Sequence, residues 1–288
     1  MSGFDGNWLA LRADADARAC ERSTPELLGR AFGPGAVRAL RVVDLGAGSG
    51  NNAARLGPLL ARAGAASQTW VLVDDDPALL ARAVERLARS SEEARPPRTV
   101  ETLTVDLAGG APADLLDGAD LVTCSALLDL ASRAWIDQLA RALRDAAVPL
   151  FLTSLDIDGR VRWEPTDPFD ARAAAAFDAD MRRDKGLGLA VAGAAPATAA
   201  DALDRAGFAV HTAPSPWRLR PGDQALQLRY LEDVAAVALG AEPGDEVEGW
   251  RARRRAWIER GESCLTVGHS DTLGVLRSRS KSTSAPIA

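Results

Sequence analysis

Apolar positions recur along this chain in two rhythms. From residue 41 onward short apolar runs alternate with amphipathic stretches of helix length, the pattern left by a parallel sheet with crossover helices. The runs predict strands over 42–45, 69–73, 99–105, 121–124 and 149–153, with helices over 52–63, 77–90, 113–116 and 132–146. Before residue 41 the period is helical: across 4–31, Trp8, Leu9 and Leu11 fall on one side and Arg12, Asp14 and Asp16 elsewhere. Ser23-Thr24-Pro25-Glu26 reads as a fresh helix start, because Ser or Thr caps free N–H groups and Pro suits a first turn; it predicts a second helix over 25–31.

After residue 155 the rhythm breaks. An insertion over 156–196 carries a turn at Asp158-Gly159, prolines at 165 and 168, and a predicted helix over 170–183. A helix over 198–206, a stop at Gly207 and a strand over 208–212 resume the theme. A second insertion, 215–262, predicts helices over 223–239 and 247–260, and 264–267 with 272–276 form a last strand or hairpin. The expected organisation is one domain over 1–276: a helical lid (1–40), a core (41–155) and the two insertions. The Ser- and Arg-rich stretch 277–288 is expected to be a disordered tail.

Composition narrows the classes of function. Of 288 residues 47% are apolar or aromatic and 26% charged, the balance of a folded globular chain. Acidic residues outnumber basic ones by 40 to 34, a net charge of −6, so no overall positive field favours nucleic acid. Three separated cysteines and two histidines suggest neither a disulfide framework nor a metal site, and a reducing cytoplasm is the expected compartment. Acidic residues near the N-terminus argue against a signal peptide, and the longest uncharged stretch, 186–200, is broken by glycine and proline and shorter than the roughly 20 residues a span needs. No membrane partner is expected.

The most informative segment is Val42-Val43-Asp44-Leu45-Gly46-Ala47-Gly48-Ser49-Gly50-Asn51-Asn52, an apolar strand running into a glycine loop and a helix. Glycines allow positive φ and remove the Cβ atoms that hold a ligand off the main chain, and the helix start offers unpaired N–H groups. The spacing is G-x-G-x-G. A dinucleotide fingerprint needs G-x-G-x-x-G, and the third position after Gly48 is Asn51, which disfavours NAD. The next two strands each end in carboxylates, in Val73-Asp74-Asp75-Asp76-Pro77 and Val105-Asp106-Leu107, and the fourth runs into Cys124-Ser125.

In this order the segments resemble the class I S-adenosylmethionine-dependent methyltransferases, whose first motif is an acidic residue, one residue, then G-x-G-x-G. Asp44 through Gly50 match it. The resemblance spans 41–155 and, more loosely, 198–212 and 264–276. It implies a Rossmann-like α/β fold with a seven-stranded mixed sheet in the order 3-2-1-4-5-7-6, flanked by helices, with the N-terminal helical lid and helical insertions added. The implied cofactor is S-adenosyl-L-methionine, held by Asp44, Gly46, Ala47 and Gly48. Asp74 would accept from the ribose hydroxyls, with Asp75 beside it, Asp106 from the adenine amine, and Leu107 would touch the ring. Ser125 to Asp129 would lie beside the sulfonium and the nucleophile. Leu127-Leu128-Asp129, Arg183-Asp184-Lys185-Gly186 and Val267-Gly268-His269 are also similar to a bacterial group of these enzymes that has no assigned substrate.

Methyl transfer by in-line displacement needs chiefly alignment, plus a base if the acceptor must lose a proton. Asp129 is the candidate base, or equally the N-cap of the following helix. His211 in the sixth strand and His269 at a turn in the last one are the other candidate bases, with a strand-surface or core place as their plainer role. Candidate substrate contacts are Trp8 and Arg12, one helical turn apart, and the cationic Arg183 and Lys185. Their plainer roles are sheet packing for the first pair and helix-end solvation for the second. The arginines at 251, 253, 254 and 255 read as a solvated face pairing with nearby glutamates. The expected acceptor is a small molecule, since the chain is acidic and has no appended binding domain. The alternatives are an NAD(P)-dependent oxidoreductase and a non-catalytic S-adenosylmethionine-binding protein.

Overall fold

The computed structural model describes residues 6–32, 38–91 and 98–277. Its strands are β1 (Arg38–Leu45), β2 (Ala65–Asp74), β3 (Arg98–Thr104), β4 (Leu121–Ser125), β5 (Leu150–Glu164), β6 (Phe208–Pro214), β7 (Trp217–Leu219) and β8 (Cys264–Leu276). They form one sheet in the order β3-β2-β1-β4-β5-β8-β6, with β7 paired to the start of β8. β1 to β5 run parallel, and β8 is antiparallel to both β5 and β6. This is the expected seven-strand path with one short strand, β7, added.

The helices are α1 (Gly6–Ala31), α2 (Asn51–Arg62), α3 (Pro77–Ser91), α4 (Ala113–Leu116), α5 (Arg133–Asp145), α6 (Asp170–Met181), α7 (Ala195–Arg205), α8 (Gln224–Ala238) and α9 (Gly244–Glu259). Alternate residues of each central strand supply opposite faces, which is why those strands read as unbroken apolar runs. Leu40, Val42, Trp70 and Leu72 pack with α2, α3 and the C-terminal half of α1 through Leu27, Leu56 and Leu80. Val43, Leu45, Val71 and Val73 pack on the other face with α4, α5 and α7 through Leu116, Leu139 and Leu203.

The structure departs from the sequence reading in several places. α1 is continuous, with Pro25 inside it, so no second helix starts at residue 25. Ser23 and Thr24 do not cap a helix; their hydroxyls donate to the buried Asp271 carboxylate at 2.6 and 3.2 Å. The expected turn at Asp158-Gly159 is a register shift within β5, and 264–276 is one strand rather than a hairpin. The first residues of the 156–196 insertion therefore extend the sheet, pairing Val161–Glu164 with Cys264–Val267. On this extension α6, α8 and α9 build a third core around Trp163, Trp217, Leu231 and Trp250.

Arg254 is no part of a solvated face. It is fully buried between the Trp163 and Trp257 rings, at 5.1 and 4.9 Å, and is paired with Asp170. Its neighbours Arg251 and Arg253 do sit on the surface, in ion pairs with Glu232 and Asp167. Of the expected tail, residues 278–288 lie outside the described residues, and Arg277 is tied to Gly207 and Asp204. Among the described residues no helix is long and apolar enough to cross a membrane.

Candidate functional site

β1 ends under the glycine loop. Gly46, Gly48 and Gly50 all have positive φ, at 64°, 52° and 76°, and a Cβ on Gly50 would stand 2.9 Å from that of Ala83. The loop can therefore lie flat against the sheet and α3 only as glycine. Beneath it Asp44 is wholly buried. Its Oδ1 accepts from Asn52 Nδ2 at 2.8 Å, and the same amide lies 3.2 Å from Thr123 Oγ1. Burial raises the Asp44 pKa to about 7 against the opposing hydrogen bond. Asp44 supports the loop from below and does not line the crevice above it.

That crevice, about 100 Å³ in volume, crosses the carboxyl ends of β2, β1 and β4. It brings together Gly46, Ala47, Gly48, Asp74, Asp75, Ser125 and Arg12. Asp74 is the pivot. Its Oδ2 accepts the Gly48 backbone N–H at 2.8 Å and its Oδ1 the Asp76 N–H at 3.0 Å. Its pKa is raised, chiefly by burial, with the two backbone bonds opposing. Asp76 caps α3 through Ala78 N at 2.8 Å, as expected of a carboxylate before Pro77.

Several lining residues were not anticipated from sequence. Leu9 lies over the loop, its Cδ1 3.2 Å from where a Gly48 Cβ would be. Asn51 Nδ2 donates to the Leu9 carbonyl at 2.6 Å, latching α1 to the start of α2. Asp16, buried, pairs with Arg12 at 2.8 Å and accepts from Trp217 Nε1 at 2.8 Å. Leu127 and Leu130 close the β4 side. Asn51 and Asn52 stand next to the glycines in sequence; Leu9 and Asp16 had no signal beyond the helical period of α1.

Other expected residues stand outside the crevice. Asp106 is exposed and accepts from Ala108 N at 2.9 Å, capping a short turn, while Leu107 is buried in the core. Trp8 packs edge-on to Trp217, with centroids 6.2 Å apart, beneath the Arg229 guanidinium. Arg183 and Lys185 both ion-pair with Asp180, at 3.1 and 2.9 Å. His211 lies on β6. His269 is buried, its Nδ1 donating to the Val267 carbonyl at 3.0 Å, and burial holds its pKa down at about 3.

Asp129 is not the cap of α5. Ser132 takes that place, its Oγ accepting from Trp135 N at 3.2 Å. Asp129 is buried just behind the β4 wall, and its Oδ1 has no partner among the described residues. Burial raises its pKa to about 6, with the Arg12 cation pulling the other way.

No protein-family model and no curated protein matches the chain. Among solved structures it is similar to a cyclopropane synthase from Mycobacterium tuberculosis, at 13% identity over 86% of this chain and 81% of that one, with a TM-score of 0.44. It is also similar to magnesium protoporphyrin IX methyltransferase from Synechocystis, solved with bound SAH, at 17% identity over 73% and 77% and a TM-score of 0.41. An O-methyltransferase family protein from Burkholderia thailandensis matches at 15% identity over 89% and 57%, with a TM-score of 0.43.

Proposed function

We propose that this protein transfers a methyl group from S-adenosyl-L-methionine to a small-molecule acceptor. One observation carries the reading against its nicotinamide rival. The Gly48 N–H, which a phosphate-binding loop would turn to its ligand, is already bonded to the Asp74 carboxylate, and Asp75 and Asp76 line the same end of the crevice. Three carboxylates there repel a pyrophosphate and suit a ligand that presents hydroxyl donors and carries positive charge.

The donor set fits adenosylmethionine. Asp74 has lone pairs left for ribose hydroxyls, and the glycine loop allows close approach; Asp106 and Leu107 remain the candidates for the adenine end. The present space does not suffice, since about 100 Å³ is below the roughly 300 Å³ at which small-molecule pockets begin. Leu9 of α1 lies over Gly48 in this space, so we expect the first turns of α1 to shift when the cofactor enters. When bound, the cofactor supplies a methyl group activated by positive sulfur.

The chain's own part is then alignment and exclusion of water, with Ser125, Leu127 and Leu130 forming the wall at the β4 end. For an acceptor that loses a proton, Asp129 is the base: it is ionised just above pH 6 yet still basic enough to take that proton. Arg12 lines the crevice from α1, while Trp8, one turn away and outside it, packs on Trp217. Arg183 and Lys185, which share the single Asp180 carboxylate, are assigned a weaker, peripheral part in acceptor binding. Isothermal titration with adenosylmethionine, S-adenosylhomocysteine and NADH tests the reading. Binding of the first two is expected; tight binding of NADH alone would end it.

A further inference from the structure

We propose that Asp156 is a positioning residue for Asp129, the two buried carboxyls holding one proton between their free oxygens, an inference that rests on the methyl-transfer reading for the role of Asp129 as base. Both residues are buried, and in each the Oδ1 atom has no hydrogen-bond partner among the described residues. Two ionised carboxylates so placed repel each other out of reach of water, and each orphaned oxygen is costly. A single proton removes both faults, because the protonated group donates and the ionised one accepts.

The backbone is bent to bring the pair together. Just past β4, Ala126 has a φ of 51° and donates its N–H to the Ser154 carbonyl at 2.9 Å, so the turn that carries Asp129 lies against β5. β5 in turn shifts its register against β8 between Thr153 and Asp156, where Leu155 has a φ of 59° and is held by Asp271 through its N–H at 3.0 Å. Non-glycine residues at positive φ persist only where their surroundings over-determine them. The bend turns Asp156 back along its own strand, so that Oδ2 accepts from Thr153 Oγ1 at 2.6 Å. The Leu128 N–H, one residue before Asp129, also bonds to this carboxyl.

Of the two, Asp156 keeps the proton. Burial raises its pKa well above the ordinary value and the neighbouring Asp129 charge adds to the rise, whereas Asp129, helped by the Arg12 cation, ionises at about 6. The charged groups facing the pair are Arg12 on α1 and Asp271 on β8. Cys124 on β4 is a neutral thiol, pushed up by burial and by these carboxylates, and Asp201, Asp204 and Arg205 of α7 are exposed. The pair therefore holds one proton across neutral pH, which keeps Asp129 charged and oriented despite its burial, and a proton taken from an acceptor brings the pair to two.

Infrared spectroscopy of the full chain tests this without cofactor or acceptor, at a pH well above the Asp44 value of about 7, where that carboxyl is ionised. A carboxylic-acid carbonyl band is expected at a strongly hydrogen-bonded frequency, moving lower in deuterium oxide. Asp156→Asn is expected to lose it. Asp129→Asn is expected to shift it upward, because the acid then bonds to a neutral amide and no longer to a carboxylate. Absence of the band in the unaltered protein, its persistence in Asp156→Asn or an unmoved frequency in Asp129→Asn would overturn the inference. If neither variant folds, the frequency in the unaltered protein decides, and the position of a free acid overturns it. Calorimetry with S-adenosylhomocysteine reads the cofactor separately: no binding there would remove the methyl-transfer reading, and with it the catalytic role of the pair, whatever the infrared band shows.

Discussion

The Gly48 backbone N–H donates to the Asp74 carboxylate across 2.8 Å, tying the loop after β1 to the tip of β2. Asp74→Ala removes both that bond and the acceptor assigned to the ribose. We expect cofactor affinity to fall by about 10- to 100-fold, the range for hydrogen bonds to a charged group. Gly48→Val meets a φ of 52° and the Leu9 methyl at 3.2 Å, and should lose binding as well. Titration of folded variants checks both; unaltered affinity in each would remove the assigned pocket.

Leu9 and Asn51 together hold α1 over the crevice. Leu9→Ala opens space above Gly48, and Asn51→Ala breaks the 2.6 Å bond to the Leu9 carbonyl. Both are expected to speed association of S-adenosylhomocysteine in stopped-flow measurements and to hasten hydrogen exchange in the first turns of α1. A shared rate with the unaltered protein would mean that this helix does not gate the crevice.

Asp129 sets the expected pH dependence. Burial raises its pKa from 3.8 to about 6, so it is protonated below that pH and ionised above it. For an acceptor that must lose a proton, kcat/KM should therefore rise as pH passes through about 6, and the rise should vanish in Asp129→Asn. A rise that persists in the variant would assign the proton to another group.

Asp271 joins four segments. Its oxygens accept from Ser23 Oγ at 2.6 Å, Thr24 Oγ1 at 3.2 Å, Ser215 Oγ at 2.6 Å and Leu155 N at 3.0 Å, all buried. Asp271→Ala strands those donors and should cost about 3–5 kcal/mol of stability. Denaturant unfolding measures it, and a loss below 1 kcal/mol would show that water replaces the carboxylate.

The same residue marks where local reading failed. Ser23-Thr24-Pro25 satisfies every local rule for a helix start, and Pro25 disfavours the helix that runs through it. A partner nearly 250 positions away decides otherwise, because Asp271 takes the two hydroxyls that a cap would have used. The Asp158-Gly159 turn failed similarly: β8 pairs on both sides of it and absorbs the glycine as a bulge.

What the sequence determined by itself is the sheet and the loop. Runs buried on both faces need no partner to be recognised as strands, and three glycines at fixed spacing state a backbone conformation that other residues avoid, so β1, β2, β4 and the Gly48 turn were legible. What only the tertiary structure decided is which side chains share the crevice. Asp74 and Arg12 enter it while Asp106 and Trp8 do not, and Leu9 lines it. Those outcomes depend on how α1 lies across the strand ends, and amphipathic periodicity specifies a buried face without specifying what that face will meet.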